Sequence, residues 1–424
     1  MTVHAAAMTQ SRPGVPGGTV AIIAPADAGA RLALEYHAQG WESIAVALPA
    51  DQLPPQARSR NELGALERAF THQSMRRTLK RLRAAGVTAV VAGSAWGVAL
   101  ADRLAEQLDL AGNSPATSWL RNDRGVQAAA VRDAGLAAPR SMSTTSLMQA
   151  LRWAEFCRLG QYSVACADTA VPLAPVVCRS ESEIRQAWIG LRALAPRYTL
   201  STELVIQEYL PGRRYIVDTV SGSIEQRPAV IGLWHETYDT KGLHQRTDSL
   251  SDSGLLGRSL GRVAQKALPV LGVDVGPARL EVVHTPGAGM ALLSVQAFPQ
   301  ESPAGPLPCH ANDPIRAAAV ADVAGLVHPV STARRFTTRL TLAASRDGIV
   351  DAGALSRLRA LPSVAYVSPA LTASAPVKRT VDDRSSPGYV ILDGYDRNAV
   401  EDAYRTIRAL EITRLYSGTR ASVL

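Results

Sequence analysis

The chain changes its rhythm once, near residue 140, and that change limits the folds open to it. Before it, short apolar runs alternate with helix-spaced segments. "TVAIIAP" (19–25) leads into "ARLALEYHAQG", which stops at Gly40, and "SIAVALP" (43–49) follows; later come "RTLKRLRAAG", "VTAVVAG" and "GVALADRLAEQLDL". This alternation predicts a small open parallel sheet over residues 19 to about 115 with helices on its faces. Residues 120–135 read as one further helix with a glycine stop. Beyond them short strands succeed one another ("YSVACA", "APVVCR", "LVIQEYL", "YIVDTVSG", "AVIGLWHE", "RLEVVHT", "MALLSVQAF"), mostly with glycine or proline turns between them. Helices at about 181–194 and 255–271 interrupt the series, which predicts an α+β region with antiparallel sheets. The stretch from about 334 reads as strand-rich and ends in an amphipathic helix at about 397–412.

Composition removes several classes of function. With 424 residues and 46% hydrophobic content the chain is long enough for two or three cores. No run of 18 apolar residues suggests a membrane span, and "MTVHAAAMTQSRPGVPGG" lacks a basic start followed by an apolar run, so a cytoplasmic protein is expected. Cys157, Cys166, Cys178 and Cys309 sit singly, which argues against a zinc site or a disulfide framework. The formal charge of +8 is spread along the chain, and its dense run "RRTLKRLR" (76–83) has the spacing of a solvated helix face. Nucleic acid is therefore not expected as a partner, while acidic small molecules remain compatible. The first turn, "APADAGA", has one glycine where a dinucleotide fingerprint needs three.

Four passages carry a family resemblance. "VVAGSAWGVALADRLAEQLDLAGNSPATSWLRNDRGVQAAAVRDAGLAAPR" (90–140), "LVIQEYLPGRRYIVDTVSG" (204–222), "LGVDVGPARLEVVHTPGAGMALLSVQAF" (271–298) and "SSPGYVILDGYDRNAVEDAYRTIRALE" (385–411) stand in this order and spacing. Together they resemble the ATP-grasp carboxylate–amine ligases, especially the branch that joins amino acids into dipeptides and amides in bacterial small-molecule pathways. The resemblance implies a three-lobed ATP-grasp fold, α/β and α+β: an N-terminal parallel α/β sheet, a central lobe, and a C-terminal lobe with antiparallel sheet. Its boundaries would be a flexible N-terminus over 1–18, then 19–118, 119–225, 226–332 and a small closing lobe over 333–424.

Such a ligase phosphorylates a carboxylate with ATP and lets an amine attack the acyl phosphate, with Mg2+ neutralising the triphosphate. By resemblance, Arg124, Glu208, Tyr209, Leu210 and Asp218 would meet the nucleotide, the Glu208–Leu210 backbone lying along the adenine edge. Glu281 would be a metal ligand, a carboxylate suited to a hard cation. The polar stretch "LWHETYDTKGLHQRTD" (233–248) would border the cleft and offer His235, Lys241, His244 and Arg246 to an amino-acid-like substrate. A homodimer or a catalytic partner protein is implied in the same way.

The sequence departs from the family at the phosphate end. Ala167 stands where a phosphate lysine is expected, and Arg124 replaces a second lysine. "DTAVPLAP" (168–175) has two prolines and no glycine where a phosphate-cradling loop belongs. Ser294 takes the place of a second metal-binding glutamate, and Arg214 that of an acid. Three readings of function follow. One is an ATP- and Mg2+-dependent ligase with a strongly reduced site; another is an inactive relative that acts as a binding or partner protein; the third is a different reaction in the same cleft.

Overall fold

The computed structural model describes residues 17–58, 68–222, 228–240, 242–251, 254–305, 313–324 and 335–417. Its first sheet is parallel throughout, in the order Ala69–Thr71, Glu42–Ala47, Thr19–Ile23, Val87–Ala92. Such a sheet must be covered on both faces. One face packs Ile23, Val46 and Val90 against Leu79 and Leu82 of the Met75–Ala84 helix and Leu100 and Leu104 of the Val98–Leu108 helix. The other packs Val20 and Ile22 against Leu32 and Tyr36 of the Ala28–Ala38 helix, and the Pro314–Ala324 helix, distant in sequence, completes that core with Ile315 and Ala318. The single glycine of the first turn serves packing: a Cβ on Gly29 would lie 1.7 Å from the Gly93 carbonyl oxygen.

The predicted 120–135 helix is broken. A 3-10 helix covers Pro115–Arg121, and a separate α-helix covers Arg124–Asp133, because the Asp123 side chain accepts from Val126 N–H at 2.8 Å and caps it. The break turns Arg121 inward. Its side chain is fully buried, pairs with Asp102, and donates to the carbonyl of Gly272 at 2.6 Å and to Thr117 Oγ1 at 3.0 Å. Gly272 has φ +65°, and a Cβ there would stand 2.2 Å from Thr117 Oγ1. This knot ties the N-terminal sheet's last helix to the loop after the Leu255–Val270 helix.

Besides a short three-stranded sheet of Pro376–Val377, Gly348–Val350 and Tyr416–Ser417, two antiparallel sheets make up the rest of the described residues. The smaller runs Ser141–Thr144, Leu204–Glu208, Tyr162–Cys166, Val176–Cys178. Val164, Cys166, Leu204 and Ile206 point to the helices Leu147–Cys157 and Glu181–Leu194, leaving alternate residues such as Ser163 and Gln207 on the opposite face. The larger has eight strands: Gly289–Gln296, Gly276–Thr285, Arg213–Ser221, Pro228–Tyr238, His244–Ser249, Phe336–Thr341, Tyr389–Gly394 and Val364–Val367. Tyr215, Val217, Leu233, Leu280, Val282 and Leu292 bury one face against the Leu255–Val270 helix. The Arg213–Ser221 strand, grouped by sequence with the central lobe, is hydrogen-bonded into this eight-stranded sheet, so the two sheets part at the Pro211–Gly212 turn. Among the described residues no helix is long and apolar enough to cross a membrane.

Candidate functional site

The two antiparallel sheets face each other across a narrow cleft. Ser163, Gln207, Glu208, Tyr209 and Leu210 approach from the small sheet, and Arg214, Glu281 and Leu293 from the large one; Arg124 enters from the start of its helix. The structure thus brings together five residues singled out in the sequence: Arg124, Glu208, Tyr209, Leu210 and Glu281. Arg214, read there only as a departure from a pattern, joins them.

Charge in the cleft is paired within the protein. Arg124 is buried and its Nη1 lies 3.3 Å from Glu281 Oε2. Burial works to raise the Glu281 pKa, but Arg124, then the Ser294 hydroxyl and Arg214, outweigh it and hold the carboxyl below its usual value. Ser294 stands directly across from Glu281 on the neighbouring strand. Glu208 Oε2 accepts from Arg140 Nε at 3.4 Å, and Tyr209 N–H donates to the carbonyl of Gln161 at 3.3 Å, so the hinge is pinned on both its side chain and its backbone.

Glu236, on the same face of the large sheet, was not singled out in the sequence as a site residue. Burial, then the nearby Glu281, pushes its pKa up to about 7, while the Tyr238 hydroxyl donates to it at 3.1 Å. A folded-state pKa above the ordinary 4.5 means that stability is present in full below that pH and is lost as pH rises through 7. Glu236→Gln is therefore expected to gain about 2 kcal/mol over the parent at about pH 8 and almost nothing at about pH 4.5, read from urea unfolding at both values.

Other sequence candidates go elsewhere. Asp218 does not line the cleft: it is 2% exposed, and its carboxylate accepts from Arg279 at 2.6 and 3.2 Å and from Trp234 Nε1 at 3.1 Å. The 233–248 stretch is a hairpin rather than a loop, and strand alternation scatters its polar groups. His235 turns away from Glu236 and packs on Tyr215, ring centroids 5.3 Å apart. Arg246 pairs with Asp248 at 2.6 Å and Glu401 at 3.0 Å, with its guanidinium 4.1 Å from the Tyr404 ring centre. His244 bridges Thr341 and Thr247 hydroxyls at 2.6 and 2.8 Å. Lys241 lies outside the described residues.

The 168–175 segment closes the end of the cleft where the resemblance places the phosphates. Ala167 is buried and its carbonyl accepts from Arg124 N–H at 2.8 Å. Asp168 fixes the turn by accepting from Ala170 N–H at 2.9 Å and Thr199 Oγ1 at 2.7 Å. Val171 and Leu173 then sink into the core of the small sheet, and Gln296 Nε2 donates across the cleft to the Thr169 carbonyl at 2.6 Å. Pro175 lines what is left, a cavity of about 10 Å³. That is about the room one water requires.

These residues do not fit the groups the resemblance implies. A magnesium ion takes several oxygen ligands with near-octahedral geometry. Of the two carboxylates lining the cleft, Glu281 is paired with Arg124 and Glu208 with Arg140. Among the described residues no three His, Cys, Asp or Glu side chains are placed to share a metal. The space left beside Pro175 is far smaller than a nucleoside triphosphate.

No family model matches the sequence, and neither does any curated protein. Solved structures do match over almost the whole chain. An L-amino acid ligase from Bacillus licheniformis superposes with a TM-score of 0.64 at 14% identity, covering 93% of this chain and 98% of that one. An N5-carboxyaminoimidazole ribonucleotide synthetase in an ADP complex gives 0.65 at 14%, covering 95% and 98%. This chain has the ATP-grasp fold. The corresponding synthetase from Thermus thermophilus agrees, with a TM-score of 0.62 at 15% identity over 95% and 99% of the two chains. At such identities the likeness establishes the fold alone, so what this ATP-grasp chain does has to be argued from its own cleft.

Proposed function

We propose that this protein is an ATP-grasp relative without ligase activity, which works by binding a small molecule or a partner protein. The observation that carries the reading is the state of Glu281. It is the one acid at the expected metal position, it faces a serine across the strand pair, and two arginines neutralise it. A neutral hydroxyl does not replace an anionic bridging ligand, and removal of several charge-stabilising contacts from one transition state lowers rates by many decades. The closed 168–175 segment supports the same reading. A cytoplasmic location and a homodimer or catalytic partner remain part of the proposal.

A second reading, ATP-dependent joining of an amino-acid-like carboxylate to an amine, is favoured by one fact: the Gln207–Leu210 hinge still lines the same cleft as Arg124 and Glu281. The two readings separate in an ADP-release assay with ATP, Mg2+ and pairs of amino acids. The proposal expects a rate equal to that without protein for every pair. ADP formed in step with a dipeptide or amide would establish the second reading instead.

A further inference from the structure

The far side of the large sheet holds a cavity quite unlike the front cleft. It lies between the Arg124–Asp133 helix, the Leu255–Val270 helix and the Gly289–Gln296 strand, with a volume of about 230 Å³. Val131, Leu136, Val263, Met290 and Leu292 make its walls apolar. Leu292 N–H donates to the Ala137 carbonyl at 2.9 Å, which holds the 136–137 loop over one side. Arg262 and Lys266, one helical turn apart, stand at the mouth. Arg262 donates to Ser259 Oγ at 3.1 Å, and neither cation makes an ion pair with a described residue.

We infer that this cavity is a binding site for a small amphipathic monoanion, an apolar body carrying one carboxylate. The walls supply what the body needs, and a methionine lets them adapt to its shape. Cavities of roughly 150 Å³ with aliphatic linings take benzene, and this one is about half as large again, enough for a ring with a short side chain or a chain of about eight carbons. Arg262 and Lys266, neither of them ion-paired with a described residue, meet the head group. A few polar groups at the rim of an apolar pocket is the usual make-up of a small-molecule site. The inference does not depend on the reading of the front cleft.

Calorimetric titration of the full chain with sodium octanoate tests it. One-to-one binding is expected, weakening about threefold to fourfold for each methylene removed toward butyrate. Octanamide should bind several-fold more weakly than octanoate, and Lys266→Gln should bring octanoate about fivefold closer to the amide. Val263→Phe, checked for folding by its thermal transition, should abolish binding by filling the cavity. No saturable octanoate binding, equal affinity for acid and amide, or affinity unchanged by Val263→Phe would each overturn the assignment. A concentration-dependent dimer that Val263→Arg dissociates, with no octanoate binding, would give this face to a second copy of the chain and overturn it equally.

Discussion

Arg121→Met is expected to lower the unfolding free energy by about 3–5 kcal/mol, measured by urea denaturation with both fluorescence and circular dichroism. Removal of the guanidinium strands the buried Asp102 carboxylate and strips donors from the Gly272 carbonyl and the Thr117 hydroxyl. Burial already raises the Asp102 pKa, with Arg121 pulling it back down. Without Arg121, the Ser118 hydroxyl, a neutral donor to Asp102, is left to oppose the burial. Asp102→Leu combined with Arg121→Met should recover part of the loss, since an apolar pair in place of a buried ion pair is often neutral. A loss below about 1 kcal/mol in the single variant would mean that the knot does not hold the N-terminal sheet to the rest.

Arg279→Ala is expected to have an effect of similar size, about 3 kcal/mol or more, and to bear on function as well. Among the described residues it leaves Asp218, 2% exposed, with the Trp234 N–H as its one donor, and it also removes the bond from Arg279 Nη2 to the Glu301 carbonyl at 2.7 Å. Asp218→Asn should cost less, because the amide oxygen can still accept from Trp234 Nε1 or Arg279 while Arg279, 13% exposed and bonded also to the Glu301 carbonyl, loses its counter-charge. If Asp218 were a nucleotide contact, the asparagine variant would alter ligand binding; the structure predicts a change in stability alone, smaller than that of Arg279→Ala.

Much of the architecture was legible because hydrophobic period survives where polar identity has changed. The alternation around Ile22, Leu32 and Val46, and the apolar runs around Val217 and Leu280, announced their strands and helices directly. Arg124, Glu208 and Glu281 were legible as neighbours only through the order of elements, since they are far apart in the chain. The first strand of the 228–249 hairpin was legible in "AVIGLWHE", but its partner His244–Ser249 was not, because His244, Arg246 and Asp248 look uniformly polar in sequence. Arg214 and Glu236 give no signal of their own: a basic and an acidic residue in half-buried strands acquire meaning only once Glu281 lies between or beside them. The fate of 168–175 was half legible. Its prolines ruled out a phosphate-cradling loop, whereas the burial of Val171 and Leu173 depends on the core they enter.

The central claim is that the front cleft is closed to nucleotide and unfit for magnesium. It is tested most directly by calorimetric titration of the protein with ATP, with and without Mg2+, using Glu208→Ala as the control. No detectable binding at millimolar ATP, in either condition and in either protein, is the predicted result. Micromolar binding that requires magnesium and disappears in the variant would contradict it, showing that the hinge opens to hold a nucleotide and that Glu281 leaves Arg124 to meet a metal.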